Sequence, residues 1–237
     1  MPRRLRSDVY LFIIPALCKG YGEARFYEIV DYIQKEGGRF LAQHISAALR
    51  ELRKRGIIEK VDKAKYRLVR VAPYCLMLDD FEKYSYVGAL GLRDGRSESE
   101  PEIAIRLLIR SGIRPVTKIV LTTSEGKKSW EDRRHMFELA EIELIHDVSV
   151  DELKDIELMT KRLEAIIDEL SKHTIPIIDC TSLNKIYTIA AHQVAIRNHL
   201  PLIYVYEETK ELVWLRQIEE LRKQIKKKLP EMLSGYK

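Results

Sequence analysis

The chain has 237 residues, with 41 Lys+Arg against 36 Asp+Glu for a net charge of +5, and 46% hydrophobic residues. That apolar share excludes disorder for the bulk of the chain and suits one large or two small domains. No run approaches the ~18 uncharged apolar residues of a membrane span, and three scattered cysteines (Cys18, Cys75, Cys180) are too few for a disulfide framework, so the expectation is a soluble, cytoplasmic protein of a reducing compartment.

The charge is uneven. Residues 1–72 hold 16 Lys+Arg against 8 Asp+Glu, and the remainder holds 25 against 28. A basic module joined to a slightly acidic one suggests nucleic-acid contact by the first part only.

Ser7 is placed to cap a first helix carrying Val9, Phe12, Ile13, Ala16 and Leu17, ended by Gly20 and Gly22, with a kink or break at Pro15. Arg25–Lys35 reads as a second helix and Leu41–Arg55 as a third, closed by Gly56. Ile57–Val61 and Lys65–Val69 read as a short hairpin. Three helices and a basic hairpin, in that order, predict an N-terminal winged helix-turn-helix domain over residues 1–72. The run ALRELRKRGIIEKVDKAKYRL from Ala48 is similar to many archaeal and bacterial winged-helix domains. Winged helices serve as DNA-binding, protein-interaction or dimerisation modules, and the basic exposed face of the third helix favours double-stranded DNA, with that helix in the major groove and the hairpin on phosphate. The face of that helix opposite Ile45, Leu49 and Leu52 carries Gln43, Ser46, Ala47, Arg50 and Lys54. Arg and Gln suit bidentate base contacts, and Ser and Ala suit close approach. Lys63, Lys65 and Arg67 are the expected phosphate contacts of the hairpin, and Arg3, Arg4 and Arg6 an added flexible arm.

After a linker over residues 73–85 the pattern changes to alternating β and α. Tyr86–Leu92, Thr117–Thr123, Glu143–Asp147, Ile175–Thr181 and Leu200–Tyr206 read as strands. Glu100–Ser111, Trp130–Ala140, Val150–His173 and Leu183–His199 read as helical, and Val150–His173, whose periodicity is loose near Glu157–Thr160, fits one helix or two. This is an α/β pattern and predicts a Rossmann-like, mostly parallel sheet over residues 86–208. A last helix, Glu211–Met232, follows within residues 209–237; it can cover the sheet, return to the first domain, or pair with a second subunit.

In open α/β sheets the ligand lies at the carboxyl ends of the strands. The first strand ends in Gly91-Leu92-Arg93-Asp94-Gly95-Arg96-Ser97-Glu98-Ser99, a loop suited to cradling phosphate at a helix N-terminus but matching neither the Walker nor the dinucleotide glycine pattern. The second ends in Thr122-Thr123-Ser124, and the fourth in Asp179-Cys180-Thr181-Ser182-Leu183-Asn184-Lys185. Hydroxyls, an amide and a lysine suit a phosphorylated ligand. The expected ligand residues are Gly91, Leu92, Arg93, Asp94, Ser97, Ser124, Thr181, Ser182, Asn184 and Lys185.

The pieces YVGALGL, EPEIAIRLLIRSGIRPVTKIVLTTSEG and AAHQVAIRNHLPLIYVY, with Asp179, Thr181 and Lys185 matching D/N-x-S/T-x-x-x-K/R, resemble the CRISPR-associated Rossmann-fold (CARF) family over Tyr86 to Glu208. Where that family often carries Gly-Gly, this chain has Ser182-Leu183. The resemblance implies a homodimer that holds a cyclic oligoadenylate ring between two copies of these loops. It implies a ligand-responsive transcriptional regulator in CRISPR defence or, alternatively, a metal-independent ring nuclease, in which Lys185, Thr181 and Ser97 would align the 2′-hydroxyl and stabilise developing charge. No cofactor and no metal are expected: the histidines lack zinc-site spacing, and Cys180 lacks a histidine partner in the motif.

Overall fold

The computed structural model describes residues 3–234, and these fall into two compact units. One takes in the chain up to Phe81, with residues 171–173 and the chain from Glu219; the other spans Glu82–Leu170 and Thr174–Ile218.

In the first unit, α1 (Arg3–Lys19) packs on α2 (Phe26–Lys35) and α3 (Ala42–Lys54). Val9, Ile13, Ile14, Leu17, Ile29, Ile33, Ile45, Leu49 and Leu52 bury the apolar stripe of each helix in one core. α1 begins at Arg3 rather than at a cap on Ser7, and it runs through Pro15 without a break. Proline there removes one backbone bond, and the fully buried residues on either side hold the helix together. Arg3, Arg4 and Arg6 thus start a helix instead of forming an arm; their side chains lie outside the described residues.

The expected hairpin forms as β2 (Ile58–Lys60) and β3 (Lys65–Leu68), and β1 (Glu23–Arg25) joins it in an antiparallel sheet of order β1-β3-β2. Sequence alone gave no signal for β1, a three-residue strand between a glycine turn and a helix. Residues of the expected linker are also folded: a 3-10 turn at Tyr74–Met77 is buried, and its Cys75 is disulfide-bonded to Cys18, contrary to the expectation of a chain without disulfides.

In the second unit the six strands are β4 (Tyr84–Leu90), β5 (Thr117–Thr122), β6 (Ile142–Ile145), β7 (Ile175–Asp179), β8 (Leu202–Tyr206) and β9 (Glu211–Arg216). Their order is β6-β5-β4-β7-β8-β9, parallel except for β9 against β8. This is the doubly wound, Rossmann-like topology, and the order reverses between β4 and β7. α4 (Glu100–Arg110) packs on β4, β8 and β9, and α8 (Lys185–Arg197) packs on β7 and β8.

Three helical expectations are corrected. The helix read from Glu211 is a strand to Arg216, and only α9 (Ile218–Ser234) is helical. α9 belongs to the first unit, where Leu221, Ile225, Leu229 and Leu233 are buried and Arg55 donates to the Leu233 carbonyl at 2.8 Å. The helix read from Trp130 is a 3-10 turn at Glu131–Arg133 followed by α6 (Arg134–Leu139). Ahead of it, α5 (Ser124–Ser129) is capped by the Thr123 hydroxyl. The helix read from Val150 starts six residues later, as α7 (Ile156–Ser171).

Central strand β4 is buried along its whole length. Its Gly88 stands under the Tyr86 side chain: a Cβ there would lie 2.3 Å from the tyrosine hydroxyl. Strand propensity alone favours alanine over glycine by roughly 0.5–1 kcal/mol. The clash reverses the sign, so Gly88→Ala should cost about 1–3 kcal/mol, read as a lower urea midpoint at unchanged m-value.

Candidate ligand site

The carboxyl ends of β4, β5 and β7 open on one cleft of about 420 Å³, within the usual range of ligand pockets. Its walls are Leu90, Gly91 and Leu92 after β4, Thr123, Ser124 and Glu125 after β5, and Leu183 and Asn184 after β7. A fourth wall, Val148–Val150 with Leu153, comes from the turn after β6. That wall falls at the start of the stretch Val150–His173, which reads as helical, whether one helix or two, and so offers no loop to the site. Its signal was the Ser149-x-x-Glu152 spacing, which here closes as Ser149 N to Glu152 and Glu152 N to Ser149 Oγ, 2.8 and 3.2 Å. Asn184 ties the two walls: its amide donates to the Leu153 carbonyl at 2.8 Å while its oxygen caps α8 at Tyr187 N, 2.9 Å.

Of the expected ligand residues, Gly91, Leu92, Ser124 and Asn184 line the cleft. Arg93, Asp94, Ser97, Thr181, Ser182 and Lys185 do not. Arg93 lies over the Trp130 ring at 5.5 Å and is paired with Asp132. Asp94, in the left-handed region at φ 42°, and Ser97 are exposed. The Thr181 hydroxyl donates to Asp179 and accepts from Val205 N at 2.7 Å, which spends it on holding β7 to β8. Ser182 is 6% exposed and its hydroxyl has no hydrogen-bond partner. Lys185 is the exposed first residue of α8, with no ion pair among the described residues.

The turn after β7 is built on Asp179. Its carboxylate is buried and accepts from the Tyr86 hydroxyl at 2.6 Å and from Thr181 N at 2.9 Å, while its backbone carbonyl accepts from the Tyr187 hydroxyl at 2.9 Å. Burial pushes the Asp179 carboxyl up to about 6, against the pull of its hydrogen bonds to Thr181 and Tyr86. The neighbouring Cys180 is buried, its thiol pushed up to about 12 by burial, which makes it inert as a nucleophile. Leu183 follows with φ at 77°, in the left-handed region.

A larger hollow of about 840 Å³ lies in the first unit, but its Lys19, Lys35 and Lys65 are paired with Asp80, Asp31 and Glu23. Among the described residues no group of three metal-ligating side chains converges, and no helix is long and apolar enough to cross a membrane. The expected DNA-facing residues Gln43, Arg50, Lys54 and Lys63 are exposed, and Ser46 and Ala47 half-buried. Lys65 is paired with Glu23 and Arg67 with Glu59 and Glu23, so these two do not stand free for phosphate.

Among solved structures the chain is similar to Can2 from Sulfobacillus thermosulfidooxidans in complex with cyclic tetra-adenylate, at 21% identity and a TM-score of 0.41. The match covers 56% of this chain and 35% of that one. No protein-family model and no curated protein matches.

The raised Asp179 value sets a pH dependence. The folded state holds this proton more tightly than the unfolded state, whose carboxyl titrates near 3.8. The group's contribution is therefore full below about pH 4 and is lost as pH rises through about 6. Asp179→Asn should abolish that part of the fall, on the order of 3 kcal/mol, in urea titrations at pH 4 to 7. An unchanged profile in the variant would assign the dependence elsewhere.

Proposed function

We propose that the α/β unit is a CARF-type sensor of cyclic oligoadenylate and that the N-terminal unit is a winged helix-turn-helix that binds double-stranded DNA. The chain is then a ligand-responsive transcriptional regulator of CRISPR defence, acting as a homodimer. The observation that carries the ligand reading is the cleft at the switch point of the sheet. Its apolar Leu90, Leu92, Val148, Val150, Leu153 and Leu183 suit the face of a purine, and its polar Ser124, Ser149 and Asn184 suit the base edge or ribose. Phosphate is then left to the rim, where Lys185 and the N-terminal amides of α8 combine a cation with a helix dipole. A symmetric cyclic ligand suits a two-fold site shared by two copies.

The ring-nuclease alternative receives less support. Of its three residues, Thr181 has its hydroxyl bonded on both sides, and Ser97 is exposed and does not line the cleft.

Isothermal titration with cyclic tetra- and hexa-adenylate tests the ligand. Lys185→Ala should weaken binding at least tenfold without lowering the melting temperature. Wild-type affinity in that variant would remove Lys185 from the site.

For DNA, Arg50→Ala and Lys54→Ala should each cost about 1–3 kcal/mol if they read bases. Lys63→Ala should weaken all sequences alike and reduce the salt slope by about one. Because Lys65 and Arg67 are already paired with carboxylates, their alanine variants should move the slope less than Lys63→Ala does. Fluorescence anisotropy across a salt series reads all five, and an unchanged slope throughout would mean the first unit does not bind DNA.

A further inference from the structure

We infer that Arg96, not Arg93, is the guanidinium that receives the ligand's phosphate, and that Glu207 holds its place in the ligand-free protein as an internal carboxylate substitute. The inference rests on the site proposed above and names a residue and an exchange within it.

Arg96 borders the cleft. It donates from Nη2 to the Leu92 carbonyl at 2.6 Å, and an ideal Cβ on Gly91 would stand 3.9 Å from both that nitrogen and the Leu183 amide nitrogen. The second Nη2 N–H has no acceptor among the described residues. Nε is anchored on the Arg93 carbonyl at 3.1 Å, so the planar head is already oriented.

The partners of Nη1 distinguish this arginine from its neighbour. Nη1 is shared between Glu100 and, at 3.4 Å, Glu207. Glu100 is buried, its Oε2 has no hydrogen-bond partner, and its carboxyl is raised by burial and in part by the charge of Glu207. Two carboxylates thus converge on one guanidinium and repel each other, and the outer contact is long and half-exposed. A phosphodiester that displaces Glu207 exchanges one anion for another on Nη1, but it also reaches the second Nη2 N–H, so it gains a two-point charge-assisted contact that Glu207 does not make, and the half-exposed Glu207 returns to water. Arg93 has no such exchange to make: it is stacked on Trp130 and matched to one carboxylate, that of Asp132.

Glu207 also lies at the turn between β8 and β9, where a second pair crosses to the same loop. Lys210 binds Glu98 at 2.7 Å, and Arg106 together with Lys210 holds the Glu98 carboxyl down at about 2. Lys210 keeps the turn attached when Glu207 is displaced, so the exchange is local and reversible.

The test is isothermal titration of the 237-residue wild-type chain, Arg96→Gln and Glu207→Gln at fixed ionic strength. Two probes are used: cyclic tetra-adenylate, and inorganic triphosphate as a probe of anion chemistry alone. Arg96→Gln should lose at least tenfold in affinity. Glu207→Gln, which deletes a negative charge from an exposed pair, should gain about two- to fivefold while melting as the wild type does. The same ordering with triphosphate, but no binding of cyclic tetra-adenylate, supports the exchange and overturns the ligand assignment. Cyclic tetra-adenylate bound equally by all three proteins overturns the exchange and leaves the ligand assignment standing. Weaker binding by Glu207→Gln overturns its role as a competitor, and failure of both probes on every protein overturns both ideas.

Discussion

The buried carboxylate of Asp179 is the constraint on which the sheet edge depends. One side chain and one carbonyl gather Tyr86 from β4, Thr181 from the turn and Tyr187 from α8. Through the Thr181 hydroxyl the same network reaches Val205 of β8. These are the strands on either side of the point where the strand order reverses, so the network stands under the position where this topology binds ligands. A buried carboxylate is costly unless its lone pairs are filled. Here three donors fill them, yet burial still outweighs those bonds in setting its titration. The cost is borne in the turn after β7, which carries Leu183 and Asn184 into the cleft wall. Gly88 belongs to the same arrangement, since only a residue without a Cβ lets Tyr86 lie back along its own strand to reach the acid.

How far this was legible in sequence follows from the range of each signal. The strands of the parallel sheet are short apolar runs bounded by turn residues, and each emerges within two residues of its expected start. The edge strand β9 does not, because Leu212, Leu215, Ile218 and Leu221 are spaced by three and imitate a helix face. In the folded chain Glu211, Val213 and Leu215 share one face of that strand and Leu212, Trp214 and Arg216 the other, and the helix begins only at Ile218. In the first unit the three helices and the hairpin are local patterns and are recovered, while β1 exists only by pairing with β3, some 40 residues away in sequence.

The site shows the same division. Loops at the strand ends are predictable from topology, and Gly91, Leu92, Ser124 and Asn184 take their places in the cleft. Which polar side chains remain available there is a matter of long-range pairing that spacing does not reveal. Thr181 matches a motif but is occupied by Asp179 and Val205; Arg93 is occupied by Asp132 and Trp130; Lys65 and Arg67 are occupied by acids on neighbouring strands. A count of basic residues therefore overstates the charge a chain can offer to phosphate, and Lys185, Arg50, Lys54 and Lys63, which have no ion pair among the described residues, are the better candidates for anion contact.

Leu183 carries the backbone strain of the turn after β7. Its φ of 77° is a conformation that glycine adopts freely and that costs an L-residue roughly 1–2 kcal/mol. A glycine would relieve that cost and open the backbone N–H groups to a phosphate. The leucine instead stands in the cleft wall facing the loop at Gly91. In the proposed complex a base packed on this half-buried leucine would add part of the about 1.5–3 kcal/mol that full burial is worth, a gain of the same order as the backbone cost. On the proposed reading Leu183 meets the base, and phosphate is held further out by the cations on the rim.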